Sequence, residues 1–563
     1  GNSGGCALAG VMAWDGYCPQ QSTLDDGFPK SGGFRRGRDF KTGELERIDF
    51  SGQKLVPVRK DFAYMHPTVR NRNEDECNAI RLRWGIEVSC SREDMRLPKP
   101  VTTFEEAPFP DWAADVLRGH RLWREPTPIQ VQGWPAALSG FDVIGIASTG
   151  SGKTMAYILP MLVHVIAQPE LKPGEGPVGL VLLPTRELCG QVRDEIATFA
   201  VETDLRCESI YGGEDVNSQE ARMLERVDIV TATPGRLISL LQHKKTNLLR
   251  VTFVVIDEAD DLLDQRFEEQ TLKVLSQVRP DRQVLLFSAT YQDNVKVFAE
   301  KACEEKGRWG AKGTIQINVG GIKLSACKDI DQQFWLQGQG LWEPTESKEQ
   351  ALCKALGLIK QTMQSSDSKV LVFCNRLETI GSVVAAIRQE GWICEGFDGD
   401  LEPEARERIL KRFKAYDSDL RLLVCTSVLG RGHDFHNVRY VVNYDMPTRL
   451  VDYIHRIGRT GRRGEEGYAL TLLEHHDLRF AKDIELCLKE SKRHVPQQIA
   501  IAARSAWRYH QEYRNLRYGT TNVDGEARGG SVTWSGRGRG RRELYLQELG
   551  GRGASRGVPL ADA

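Results

Sequence analysis

Residues 147–154, Ala-Ser-Thr-Gly-Ser-Gly-Lys-Thr, follow an apolar run ending at Ile146 and combine what phosphate chemistry requires. Gly150 and Gly152 let backbone N–H groups approach an anion closely, with Ser148, Thr149 and Ser151 completing the loop. Lys153 can reach the outer phosphates of a nucleotide, and the Thr154 hydroxyl suits Mg²⁺. Ala147 stands where the generic pattern has glycine, so on this segment alone a glycine-rich turn that binds nothing stays open. A second apolar run, Phe253–Ile256, delivers Asp257, Glu258, Ala259 and Asp260. There Asp257 can hold Mg²⁺ through water, and Glu258 can orient or deprotonate an attacking water. Carboxylates at a strand end also serve as helix caps. Beside a phosphate loop, the pair reads as the machinery of phosphoryl transfer.

These groups need a scaffold that ends several strands at one edge. Short apolar runs (DVIGIAS, GLVLLPT, DIVTATP, FVVIDEA, VLLFSAT) close in Gly, Ser, Thr or Asp and lead into helix-like stretches. That alternation predicts a parallel sheet flanked by helices. A second series, KVLVFCN, LRLLVCTS, RYVVNYD and GYALTLL, predicts a second α/β unit of the same kind. The expected organisation is an N-terminal extension over 1–100, a first domain over 101–310, a linker over 311–330, a second domain over 331–495 and a C-terminal extension over 496–563. Both extensions are expected to be at least partly disordered: the first mixes Gly, Pro and charge, and the second carries SGRGRGRR and GRGASRG, which cannot bury a core.

Composition sets the outer bounds. At 563 residues and 63.2 kDa the chain exceeds one hydrophobic core. A net charge of −1 hides Arg-rich segments near both ends, so it does not argue against a nucleic-acid partner. The 13 cysteines are scattered without a CxxC pair and are expected to be buried, reduced thiols. No apolar run reaches bilayer length and no signal-like segment opens the chain, so an intracellular protein is expected.

Further motifs appear in a fixed order: EPTPIQ (Glu125–Gln130), PTREL (Pro184–Leu188), YGG (Tyr211–Gly213), TPGR (Thr233–Arg236), SAT (Ser288–Thr290), FCNR (Phe373–Arg376), TSVLGRG (Thr426–Gly432), RGHD (Arg431–Asp434) and HRIGRTGR (His455–Arg462). In this order the chain resembles the DEAD-box RNA helicases over roughly residues 55–495. The resemblance implies two tandem RecA-like, doubly wound parallel-sheet domains that close around ATP, Mg²⁺ and one RNA strand. It places adenine on Gln130 with Phe104 in support, sets Trp123 where the family usually has Phe, and puts the ribose of ATP on Asp434. It makes Arg459 and Arg462 arginine fingers that complete the catalytic set of Lys153, Asp257 and Glu258. Pro184, Thr185, Arg186, Gly213, Thr233, Gly235, Arg236, Arg376 and Thr426 fall in motifs that hold the RNA sugar-phosphate backbone. Physically, each such motif offers a strand-end turn with N–H groups, a hydroxyl and usually an arginine, which grips phosphate without reading bases. SAT is expected to hydrogen-bond the DEAD segment.

The stretches KDFAYMHP and LPKPVTTFEEAPFP resemble the nuclear subgroup associated with mRNA processing and ribosome assembly, so the nucleus is expected ahead of the cytoplasm, with protein partners on the terminal extensions. Departures from the family pattern are Ser148, Asp261, Asp398, Pro403 and above all Ser427, where the family carries Asp. They leave open an ATP-dependent RNA clamp with little unwinding. A DNA helicase is the more distant alternative.

Overall fold

The computed structural model describes residues 45–505 apart from 46–47, 52–53, 63, 120–124, 149, 202, 264–266, 304–311, 321–328, 337–346, 364–367, 428, 430–434, 436 and 462–464. The arginines of the C-terminal tail lie outside the described residues. The first sheet contains β1 (Ile86–Cys90), β2 (Asp142–Ile146), β3 (Gly179–Leu182), β4 (Cys207–Ile210), β5 (Ile229–Ala232), β6 (Phe253–Ile256), β7 (Gln283–Ser288) and β8 (Thr314–Val319). β2, β3, β5, β6 and β7 are buried along their whole length. Their apolar runs therefore do not alternate, as expected of strands covered by helices on both faces. The order is β1-β8-β2-β7-β6-β3-β5-β4, parallel except for β1, which runs antiparallel to β8.

The second sheet contains β9 (Ile330–Leu336), β10 (Lys369–Phe373), β11 (Cys394–Phe397), β12 (Leu422–Cys425), β13 (Val438–Asn443) and β14 (Gly467–Leu473). Its order is β11-β12-β10-β13-β14-β9, parallel throughout. Two α/β units of doubly wound parallel sheet are thus present, as the alternation of runs implies. The cysteines of the described residues are free thiols, and no helix among them is long and apolar enough to cross a membrane.

Three expected boundaries need correction. Residues 314–319, inside the expected linker, form β8 and hydrogen-bond between β1 and β2. Residues 67–90, inside the expected N-terminal extension, form two helices and β1. β1 alternates buried and solvent-facing side chains because it is an edge strand, so it lacks the apolar run that marks the inner strands. Upstream, Arg279 Nη2 donates to Val56 O at 2.6 Å and Phe62 N donates to Leu138 O at 2.7 Å, anchoring residues 54–62 on the first unit. At the other end, the helix Gln497–Arg504 buries Ile499 and Ala502 against the second unit, so packed structure continues past residue 495.

His164, on the helix Lys153–Ile166, is 1% exposed and sits between the rings of Phe62 and Phe253, with Nε2 2.8 Å from Thr252 Oγ1. Burial pulls its pKa from 6.5 to about 3. The folded state thus keeps it neutral where an unfolded chain takes up a proton, so its contribution is complete above pH 6.5 and is lost as pH falls toward 3. In urea unfolding between about pH 6 and pH 4, His164→Gln is expected to flatten the pH dependence of stability by up to about 1.4 kcal/mol per pH unit. An unchanged slope would contradict this account.

Candidate active site

Because β2, β7 and β6 are neighbours running in one direction, the segments after them emerge side by side: the phosphate loop, then Ser288–Thr290, then Asp257–Asp260. In the loop, Gly152 has φ +88°, and a Cβ there would lie 2.6 Å from Gln130 Nε2 and 2.7 Å from Thr127 Oγ1. Only glycine fits. Gln130 Nε2 donates to Gly152 O at 3.0 Å while its Oε1 accepts from Thr127 N at 3.0 Å, tying the loop to the helix Pro128–Leu138. Phe104 packs in the core beside Trp134, whose indole N–H donates to Met155 O on the helix that leaves the loop. Lys153 Nζ donates to Ala147 O at 2.9 Å and Ser148 O at 3.4 Å, folded back into its own loop. Ser151 Oγ closes the turn onto Ser148 O.

After β6, Asp257 Oδ1 accepts from Glu258 N at 2.8 Å and Oδ2 accepts from Tyr157 Oη at 3.0 Å. Burial, and then the neighbouring Glu258 charge, push the Asp257 carboxyl up, while Lys153 opposes the shift. Glu258 sits in the left-handed region at φ +50°, a strain of about 1 kcal/mol in a non-glycine residue, and its Oε2 is buried without a hydrogen-bond partner. Two close, buried carboxylates are a hard oxygen set that suits Mg²⁺, whose charge would offset their mutual repulsion. Asp260 Oδ2 accepts from Thr290 Oγ1 at 3.1 Å, the expected link from SAT to DEAD. From the second unit, His455 Nε2 lies 3.5 Å from Asp260 Oδ2 and 3.9 Å from Glu258 Oε2. Arg459, 3% exposed, donates from Nε to His455 O at 3.1 Å.

The segments after β3, β4 and β5 converge farther along the same edge. Thr185 caps the helix Arg186–Ala200 by accepting from Leu188 N, with Pro184 just before it. Gly213, at φ +91°, leaves only 3.0 Å between its would-be Cβ and Arg186 Nη1. Arg236 donates from Nη1 and Nη2 to Glu214 O, both at 3.3 Å, which joins TPGR to the YGG turn. Thr233 N donates to Ile210 O, and Gly235 lies against Gln270. Glu187 Oε1 accepts from Arg186 Nε and also from Arg406 Nη2 of the second unit. Arg376 is exposed at the start of the helix Leu377–Gln389, and Thr426 follows β12.

On the helix Leu450–Ile457, the second residue of HRIGRTGR takes a role that the motif alone did not assign. Arg456, 1% exposed, donates to Asp445 O at 2.9 Å, Asn375 Oδ1 at 2.8 Å and Ser427 Oγ at 2.8 Å. Burial pulls its pKa down, and its Nε finds no partner. Its sequence signal is its place inside HRIGRTGR, directly after His455. Trp123, Thr149, Asp434 and Arg462 lie outside the described residues.

Residues 127–298 match the DEAD/DEAH box helicase family, and residues 347–464 match the helicase conserved C-terminal domain. The ATP-dependent RNA helicase DBP2 of Candida glabrata is 38% identical over 470 residues, covering 83% of this chain and 82% of that protein. The DEAD-box ATP-dependent RNA helicase 30 of Arabidopsis thaliana is 39% identical over 537 residues, covering 90% and 86%. This chain belongs to the DEAD-box ATP-dependent RNA helicases. Among solved structures, DEAD-box helicase Mss116 bound to ssRNA and UDP-BeF superposes with a TM-score of 0.60 at 27% identity, covering 73% of this chain and 84% of that one. The two sheets are accordingly RecA-like.

Within this DEAD-box helicase, Ser427 meets Arg456, so a buried guanidinium faces a neutral hydroxyl where the resemblance leads one to expect a carboxylate. Asp398 does not supply the missing charge by contact: its Oδ1 accepts from Asp400 N and Leu401 N, closing its own turn. Ser427→Asp is expected to raise the thermal midpoint by an amount equivalent to about 1–2 kcal/mol, because a charge-assisted bond replaces a neutral one. RNA stimulation of ATPase and duplex unwinding should rise with it. Parallel melting and ATPase measurements check this, and a fall in both activities would show that the serine is the better partner.

Proposed function

We propose that this DEAD-box helicase grips ATP and one RNA strand between its two RecA-like units and uses hydrolysis to remodel or locally unwind RNA duplexes and RNA–protein complexes. The domain division follows the sheets, with β1–β8 in the first and β9–β14 in the second. Lys153 with residues 148–154 receives the phosphates, Gln130 and Phe104 serve the adenine, and Asp434 the ribose. Trp123 occupies the flanking aromatic position. Glu258 directs the attacking water, its buried Oε2 having no competing hydrogen bond. Thr154 and Asp257 would hold Mg²⁺, which when bound neutralises charge developing on the phosphates. Arg459 and Arg462 bring cations to the γ-phosphate from the second unit.

The observation that carries this reading is the approach of His455 to Asp260, which Thr290 also holds. One carboxylate then feels both the SAT turn and the opposite unit, so hydrolysis and closure bias one another. Pro184, Thr185, Arg186, Gly213, Thr233, Gly235, Arg236, Arg376 and Thr426 make the RNA track, supported by the convergence of their turns and by the ssRNA bound to Mss116. Recognition is of the backbone and 2′-hydroxyls, and therefore weakly dependent on sequence. The nucleus is the proposed site of action, and the terminal extensions the proposed contacts with protein partners. Ser427 favours a second reading, a clamp that retains RNA with little unwinding; a strand-displacement assay beside an RNA-retention assay separates the two.

Lys153→Ala and Glu258→Gln are each expected to lower kcat by on the order of 10²-fold or more. Of the two, only Glu258→Gln should still bind ATP and hold RNA; wild-type turnover in either would remove that residue from the mechanism. Removal of residues from about 530 onward, which takes away Arg537, Arg539, Arg541 and Arg542, should weaken RNA binding and flatten its salt dependence while ATPase survives. An unchanged salt slope would assign the tail to protein contacts.

A further inference from the structure

Tyr157 lies one turn beyond Lys153 on the helix Lys153–Ile166 and belongs to neither the phosphate loop nor the DEAD segment. It is fully buried, and its ring packs against Phe287 of β7 with centroids 5.5 Å apart. That packing leaves the phenol oxygen one place to go. It donates to Asp257 Oδ2 at 3.0 Å. One hydroxyl thus joins the end of β6 to the helix that leaves the phosphate loop. With Glu258 N on Oδ1, the Asp257 carboxylate is held at both oxygens and cannot turn about its last torsion without breaking a buried hydrogen bond. Phenylalanine would keep the ring and its packing and lose the bridge.

We propose that Tyr157 is a positioning residue for the divalent cation: its hydroxyl, on the helix that also carries Thr154, fixes the Asp257 carboxylate, so that the site meets Mg²⁺ already shaped. This rests on the assignment of Thr154 and Asp257 to the metal. Groups that orient metal ligands typically contribute 10–100-fold in metal affinity when removed, and a ligand carboxylate held from behind leaves its outward lone pairs for the cation or its water. The bridge acts on the metal rather than on the phosphates, since Lys153 and the loop N–H groups do not depend on it.

The test uses the full chain and a fluorescent ADP, whose binding is read without turnover. For Tyr157→Phe, the Mg²⁺ concentration that half-saturates the enhancement of ADP binding should rise about tenfold, with ADP affinity in EDTA unchanged. Excess Mg²⁺ should restore both ADP affinity and kcat, and direct titration with Mn²⁺ should show the same loss. Equal Mg²⁺ dependence in wild type and Tyr157→Phe would overturn the proposal, as would a loss of ADP affinity of the same size in EDTA, which marks a packing role. Asp257→Asn keeps the two levels apart: if it leaves the Mg²⁺ effect intact, the metal assignment itself fails; if it abolishes the effect while Tyr157→Phe does not alter it, only the bridge fails.

Discussion

Parallel strands in one sheet must finish at one edge, and everything this protein does depends on that constraint. In the first sheet the order β2-β7-β6-β3-β5-β4 lines up the phosphate loop, the SAT turn, the DEAD segment, PTREL, TPGR and YGG along a single rim. Neighbouring strands are about 4.8 Å apart, so nucleotide chemistry and backbone grip share one face within a few strand widths. No long-range signal is needed between them. A turn that shifts at β7 necessarily touches the groups on both sides.

The second unit meets that rim with polar side chains. His455 approaches Asp260, and Arg406 reaches Glu187. Both contacts join a side chain of the second sheet's unit to a motif of the first, and both involve groups buried on each side. A buried charge is costly alone and much less so when paired, so contact between the units is favoured where Arg406 and Glu187 face one another. Arg456 completes the picture from behind, fastening β10, β12 and β13 through Asn375, Ser427 and Asp445.

Much of this was legible before any coordinates. Motif-bearing strands announce themselves because a strand covered on both faces must be continuously apolar, and FVVI and DVIGI leave no other reading in their setting. β1 and β8 escaped because partly solvent-facing or polar-interleaved strands, such as Ile-Glu-Val-Ser-Cys, resemble the extension around them. Among site residues, loop groups such as Lys153 follow from local spacing. Tyr157, Arg456 and the Arg406–Glu187 pair do not, because each acquires its meaning from a partner 29 to 219 positions away. Spacing can place a residue on a helix face, but it cannot say which distant loop that face meets.

Glu258 has a further consequence. At φ +50° its backbone occupies a conformation that glycine or asparagine would adopt with less strain, while its carboxylate lies buried with one oxygen unsatisfied. Both features destabilise the folded chain. Left to selection for stability alone, position 258 would drift toward residues that cannot move a proton. The glutamate persists only as long as turnover itself is under selection, so in a descendant that kept the fold and lost the ATPase, this would be among the first positions to erode.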